Sequence, residues 1–471
     1  MKTIIMMMTI MVCITYSMFG QNFSEETNTP FVGVNGISAI QLGDVDGDGD
    51  LDIIGILGGT TAKLYKNNGA GIYTEETNGF ITDTVQYLRF VDIEQDGDVD
   101  IFVIRNVSTS GIIWEFDLYE NNGQGIFAKH ITSGITNAFD NVSAKLQFAF
   151  GDVDGDGDMD MTLSGFTNQF SAKIWRYDGN YTFTESFSGI LQVVDGKTQF
   201  TDIDNDGDQD LLVIGQTVNS AFYHKYFNNG SGSFSLGNVD SVEGSFFGDF
   251  DIADVDDDGD LDAVQVGANR STTVITTHRN NGAGQFSLYF GVPASNYGAL
   301  STVKFADFNN DGDVDMIAAS RSASPKMNIF LNTGTGNFVP MTGQSFASFN
   351  LSVEVQVGDI DNDGDIDIIQ SYQTAGIGMY TTKIYKNSLA TLSTEEFEAK
   401  NIFLYPNPTK NVITIQTPET IKNSIVYNIL GEEMFQTNET SIHLSHLSKG
   451  LYMIQMEMQD GIIITRKIIK E

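Results

Sequence analysis

A nine-residue acidic loop returns seven times along the chain, beginning at Asp44, Asp92, Asp152, Asp202, Asp254, Asp307 and Asp359, at intervals of 48, 60, 50, 52, 53 and 52 residues. A period near 50 residues limits the fold to repeated supersecondary units, arranged as propeller blades or as an array, none of which can bury its apolar face alone. The surroundings of each loop repeat as well. A short alternating apolar run such as KLQFAF (145–150) precedes it, and a second such as LDIIGI (51–56) follows. Next comes an aromatic-bearing strand running into Asn-Gly, as in LYKNNGAGIY (64–73), LYENNGQGIF (118–127), YFNNGSGSF (226–234) and HRNNGAGQF (278–286). Asn-Gly between alternating hydrophobics signals a hairpin. Each unit therefore reads as four strands: A, the acidic loop, B, a variable connection, C, a tight turn, and D. Helical periodicity is absent.

The seventh unit has strand C, TTKIYKN (381–387), but no Asn-Gly hairpin after it. Its missing strand stands near the other end of the chain, where FSEETN (23–28) nearly repeats YTEETN (73–78), strand D of the first unit. Borrowing that strand closes the ring and removes the open edges an array would expose. The expected fold is all-β: a seven-bladed propeller over 21–390 closed by its N-terminal strand, a polar linker at 391–400, and a small C-terminal β-sandwich over 401–471. The first twenty residues, with Lys2 before an apolar run to about Tyr16, read as a secretory signal peptide cleaved after Gly20. That run is short for a membrane span, and no later segment reaches 18 apolar residues. The single cysteine, Cys13, lies within it, so disulfides and thiolate chemistry are not expected of the mature protein.

The net charge of −37 excludes binding of nucleic acid or an anionic membrane through a basic face. Of the 62 acidic residues, 35 sit in the seven loops, leaving the rest of the chain close to neutral. Like charges about 5 Å apart repel by ~0.8 kcal/mol even in bulk water, so the loops need a cation. The candidate ligands are Asp44, Asp46, Asp48, Asp50 and Asp52; Asp92, Glu94, Asp96, Asp98 and Asp100; Asp152, Asp154, Asp156, Asp158 and Asp160; Asp202, Asp204, Asp206, Asp208 and Asp210; Asp254, Asp256, Asp258, Asp260 and Asp262; Asp307, Asn309, Asp311, Asp313 and Asp315; and Asp359, Asp361, Asp363, Asp365 and Asp367. Counting from the first Asp, positions 1, 3, 5 and 9 offer side-chain oxygens, position 6 is always Gly, and position 7 can offer its carbonyl. Oxygen donors around a tight Gly turn suit Ca2+, whereas Mg2+ keeps more of its water. An EF-hand is excluded, because its Glu at position 12 is replaced here by Gly55, Val103, Leu163, Val213, Gln265, Ala318 and Gln370. Up to seven structural calcium ions, fastening strand A to strand B, are expected. Glu94 reaches further than Asp and Asn309 loses a charge, so loops 2 and 6 are expected to be weaker.

These residues resemble the FG-GAP/VCBS repeat, the unit also seen in integrin α-chain propellers, over roughly 22–390. The resemblance implies calcium loops that stabilise the propeller and ligands that meet the opposite face, at the B–C and D–A connections. In the tail, YPNPT (405–409), YNILG (427–431) and LSKGLY (447–452) closely resemble a type IX secretion C-terminal sorting domain. That resemblance implies recognition by the secretion machinery, passage through the outer membrane and removal of the tail; an ordinary adhesion domain is the alternative.

Catalytic signatures are missing: there is no GxSxG, HExxH or phosphate loop. The five histidines, His130, His224, His278, His443 and His446, are scattered. His278 occupies a register filled by Tyr65, Tyr119, Trp175, Tyr226, Phe330 and Tyr385 in the other units, which reads as packing. Glu115 and Asp117, beside Trp114 in the unit with the long interval, are among the few acids outside the loops. Trp114 is the one candidate for stacking on a sugar, against the plainer reading of a strand aromatic. The expected function is a secreted or cell-surface binding or adhesion protein without catalysis, with a glycan or surface protein as ligand. The alternatives are a lyase-like polysaccharide-active enzyme and a structural spacer.

Overall fold

The structure is a computed structural model that describes residues 22–470 apart from 32–35, 77–80, 82, 108–112, 136–146, 167–169, 191–193, 217–220, 239–245, 269–272, 293–300, 321–325, 350–352, 375–378, 389–402, 418–420, 429–432 and 459–462. The expected signal peptide and linker lie outside the described residues, as do most of the B–C and D–A connections. The chain divides into two compact units, Met1–Leu389 and Ala390–Glu471.

The first unit is seven antiparallel four-stranded sheets. Blade 1 runs A Ile37–Gly43, B Asp52–Leu57, C Thr61–Lys66 and D Thr74–Glu75. Blade 2 is Tyr87–Val91, Asp100–Asn106, Trp114–Asn121 and Phe127–Ile131, and blade 3 is Gln147–Gly151, Asp160–Phe166, Phe170–Tyr177 and Phe183–Phe187. Blades 4 to 6 repeat the order from Val194–Thr201, Phe246–Ala253 and Ser301–Ala306 as their A strands. In blade 7, strands Val353–Gly358, Asp367–Gln373 and Tyr380–Lys386 are completed by Ser24–Glu25, which pairs with Lys386 and Tyr385. The N-terminal closure read from FSEETN is thus the observed one. Phe23 anchors it, its ring 6.2 Å from Phe308 and 5.8 Å from Phe346.

Each sheet is covered on both faces by its neighbours, so the B strands read as apolar runs, with Ile53, Ile54 and Ile56 all buried in blade 1. Apolar clusters lie between every pair of consecutive blades. The cluster that joins Ile37, Ile53 and Tyr65 of blade 1 to Ile360, Ile369 and Ile384 of blade 7 closes the ring. The aromatic slot of strand C is core in every blade: Tyr65, Tyr119, Trp175, Tyr226, His278, Phe330 and Tyr385 are only 2–4% exposed. A strands of neighbouring blades also touch. There Asp249 accepts from Thr302 Oγ1 at 2.9 Å and pairs with Lys197 at 3.4 Å, linking blades 4, 5 and 6.

The second unit is a small sandwich. A three-stranded sheet (Phe403–Tyr405, Val412–Gln416, Ser441–His443) and a four-stranded sheet (Glu433–Thr437, Ile421–Asn428, Gly450–Met458, Ile463–Lys470) share a core containing Ile413, Ile442, Val426, Ile454 and Ile468. The YPNPT opening is tied to the last strand, Asn407 Nδ2 donating to Lys467 O at 2.7 Å while Asn407 Oδ1 accepts from Ile469 N at 2.8 Å. Both X-Pro bonds in it are cis.

Candidate metal centre in the acidic loops

The loops have one backbone path. Position 6 glycines, from Gly49 to Gly364, sit at φ 89–97°, a conformation that only glycine adopts without strain. Position 4 is left-handed too, at φ 52–74°, and holds Gly47, Gln95, Gly155, Asn205, Asp257, Asn310 and Asn362. These turns bring backbone N–H groups around the first carboxylate. Asp44 Oδ1 accepts from Asp46, Gly47 and Asp48 at 3.3, 2.8 and 3.2 Å, and its Oδ2 accepts from Gly49 at 2.8 Å. Asp48 Oδ1 then accepts from Asp50 N at 3.0 Å.

Position 9 is a buried fastener. Asp52 Oδ2 accepts from Val45 N at 3.1 Å and Oδ1 from Asn67 N at 2.7 Å, joining loop, strand B and the end of strand C. Asp262 and Asp315 do the same in blades 5 and 6. Burial pushes these carboxyls up, to about 6 for Asp52 and about 7 for Asp100, Asp160, Asp210, Asp262, Asp315 and Asp367. Position 7 side chains engage other groups. Asp50 lies so close to the C–D hairpin that a Cβ on Gly69 would stand 2.8 Å from it, and it accepts from Asn362 of blade 7 at 2.6 Å. Asp260 and Asp365 accept likewise from Asn205 and Asn310.

In five loops three carboxylates each bring an oxygen within 4.8 Å of the others: Asp44/Asp46/Asp48, Asp152/Asp154/Asp160, Asp202/Asp204/Asp206, Asp254/Asp256/Asp262 and Asp359/Asp361/Asp367. Position 3 is the informative member. In blades 1, 3, 5 and 7 its Oδ2 pairs with a basic residue on strand C: Lys66, Arg176, Arg279 and Lys386, at 2.9, 3.3, 2.8 and 3.0 Å. The other oxygen, Oδ1 of Asp46, Asp154, Asp204, Asp256 and Asp361, is buried with no hydrogen-bond partner. A buried, unpaired anionic oxygen beside two further carboxylates is costly by itself and is the donor set a hard cation needs. The residues of these five loops fit calcium. In loops 2 and 6 no such trio converges among the described residues. In loop 6, Asn309 Nδ2 donates to Asp311 Oδ2 at 2.9 Å.

The remaining sequence candidates lie elsewhere. Trp114 is half-buried on strand C of blade 2, tilted 58° at 6.0 Å from Tyr87 and packed on the core between blades 2 and 3. Glu115 and Asp117 do not face each other across a cleft; both bind Arg105, Glu115 at 2.6 Å, and the buried Asp117 also meets Lys129 at 3.2 Å. His130 contacts Glu120 at 2.9 Å and stacks on Tyr181 at 3.8 Å. A recess of about 260 Å³ lies on the loop side, lined by Asp152, Asp208 and Asn228 among others. The basic partners of position 3 escaped sequence reading, although their signal is plain: each immediately precedes the residue whose N–H binds the position 9 carboxylate.

Residues 44–103, 92–163, 254–318 and 307–369, together half of the chain, match the FG-GAP-like repeat, and residues 403–471 match the secretion system C-terminal sorting domain. No curated protein matches in sequence. Among solved structures, the BP39L lectin from Burkholderia pseudomallei is 10% identical with a TM-score of 0.53, over 76% of this chain and 97% of the lectin. The V. cholerae biofilm matrix protein Bap1 is 11% identical with a TM-score of 0.31, over 95% of this chain and 84% of its own. Among the described residues no helix is long and apolar enough to cross a membrane. With its repeats matched in both halves of the ring and a sorting domain behind it, the chain belongs to the FG-GAP-like repeat family, as a secreted or cell-surface propeller protein.

Proposed function

We propose that the protein is a non-catalytic binding protein, exported by the type IX route, whose propeller is stabilised by calcium and whose ligand meets the face opposite the acidic loops. The observation that carries the metal reading is the recurrence of an unpartnered, buried Oδ1 at position 3 in the five loops whose carboxylates converge. When bound, calcium supplies the positive charge these oxygens lack. Asp44 and its equivalents hold the loop turn, position 3 and position 5 present side-chain oxygens, and position 9 ties the site to strands B and C. The signal peptide at 1–20, propeller at 21–390, linker at 391–400 and sorting domain at 401–471 belong to the same proposal.

The titratable candidates outside the loops are committed to other contacts. The acids beside Trp114 are held by Arg105, His278 is core, and His130 is engaged by Glu120 and Tyr181. Likeness in fold to a lectin supports a glycan as ligand class. The test is a glycan array run with calcium and with chelator, followed by incubation with a polysaccharide panel. Retention on a glycan without product is the expected result. Release of cleaved oligosaccharide would instead establish the polysaccharide-active enzyme.

A further inference from the structure

The junction between blades 2 and 3 is built differently from the others. Elsewhere strand C ends in Asn, whose Nδ2 donates to a loop carbonyl of the preceding blade: Asn121 to Val45 O at 2.8 Å, and Asn280 to Ile203 O at 2.7 Å. Blade 3 has Tyr177 at this place, and the loop carbonyl of blade 2, Ile93 O, accepts instead from Met159 N at 2.8 Å. The freed phenol reaches across the junction, Tyr177 OH donating to Glu94 Oε1 at 3.0 Å. Glu94 is the position 3 residue of loop 2.

The basic partner of position 3 is also replaced. Where blades 1, 3, 5 and 7 carry Lys or Arg before the end of strand C, blade 2 carries Glu120. That acid turns to blade 3 as well, accepting from Tyr181 OH at 2.6 Å. Backbone bonds finish the junction, Ser133 N to Tyr181 O and Phe183 N to Ser133 O, both at 2.9 Å. Loop 2 therefore has a protein donor where five other loops have an unsatisfied oxygen, and although Glu94 lies against Asp100, no third carboxylate joins them among the described residues.

We infer that the second loop carries no ion, and that the Glu94–Tyr177 hydrogen bond replaces it, making the junction of blades 2 and 3 independent of calcium. The inference rests on the calcium reading of the other loops. A charge-assisted hydrogen bond can take this role because it satisfies the carboxylate with a neutral protein donor.

Native mass spectrometry in calcium tests it. Glu94→Gln should bind as many ions as the wild type, while Asp204→Asn, in a converging loop, should lose one. The double variant Glu94→Asp/Tyr177→Asn should gain one; if it does not fold, the count for Glu94→Gln decides alone. In chelator, hydrogen exchange should leave the Ser133 and Phe183 amides protected while Gly232 N, which donates to Val153 O at the junction of blades 3 and 4, loses protection. Loss of an ion from Glu94→Gln would overturn the inference and leave the calcium reading intact. A wild type that binds no ion would overturn both.

Discussion

Replacing Asp262 by Asn should change stability in opposite directions with and without calcium. The carboxylate has no solvent exposure, Oδ2 accepting from Val255 N at 3.3 Å and Oδ1 from Asn280 N at 2.8 Å. Asn keeps one acceptor and turns an amide donor toward the other N–H, a loss of about 2–3 kcal/mol. Without metal a larger quantity opposes this. Burial, more than repulsion from Asp256 and Asp258, raises the carboxyl from 3.8 to about 7. A shift of about 3 units is ~4 kcal/mol held against the charged form at pH 8, and the neutral amide removes it. Asp262→Asn should therefore be neutral or about 1–2 kcal/mol more stable in chelator. In calcium it removes one of three converging oxygens, so both the hydrogen bond and ion affinity are lost and the melting temperature falls by several degrees. The sign follows in pH as well. A folded pKa above the unfolded one means the fold binds the proton more tightly. The wild type in chelator gains stability as pH falls through about 7 toward 3.8, and calcium-loaded protein does not. Thermal melts at pH 8 and pH 5, with calcium and with chelator, check all of this. An equal destabilisation by Asp262→Asn in both media would refute the reasoning.

Arg105→Ala should cost about 3 kcal/mol, because the buried Asp117 keeps only Lys129; adding Asp117→Asn should recover part of it in the same melts, and no recovery would show that the charge is not the cause. Phe23→Ala should cost about 3 kcal/mol through the cavity beside Phe308. Deleting residues 22–31 should give oligomers by light scattering, because the Tyr380–Lys386 edge then lacks its partner. Gly207→Ala, at φ 94°, should cost about 1–3 kcal/mol and weaken calcium binding by calorimetry, whereas Asn205→Gly at φ 59° keeps the backbone unstrained and should lose only the hydrogen bond to Asp260.

The recurring loops and hairpins made the blades legible in the chain, because a Gly-only turn and an Asn-Gly turn are local signals. Closure was legible because FSEETN copies an element already placed. The aromatic slot followed from register alone. What stayed hidden depends on neighbours distant in sequence. That Lys66 and Arg279 meet position 3 of their own loops follows only once strand C is laid beside the loop. The replacement of Asn by Tyr177 acquires its meaning only through its hydroxyl, which bonds Glu94, 83 residues away. Trp114, off the repeat register beside Glu115 and Asp117, suggested a sugar platform; the structure places it half-buried at the start of strand C, against Tyr87.

Closure by Ser24–Glu25 also sets an order of events during biogenesis. The first strand of the ring cannot pair until Tyr385 and Lys386 are present, about 360 residues later. Until that moment a growing chain carries two loose edges and an incomplete junction between blades 7 and 1. Contacts so distant in sequence form slowly. The ring therefore snaps shut as a late, all-chain event, and a prematurely terminated product is left open, sticky and easily recognised by proteases.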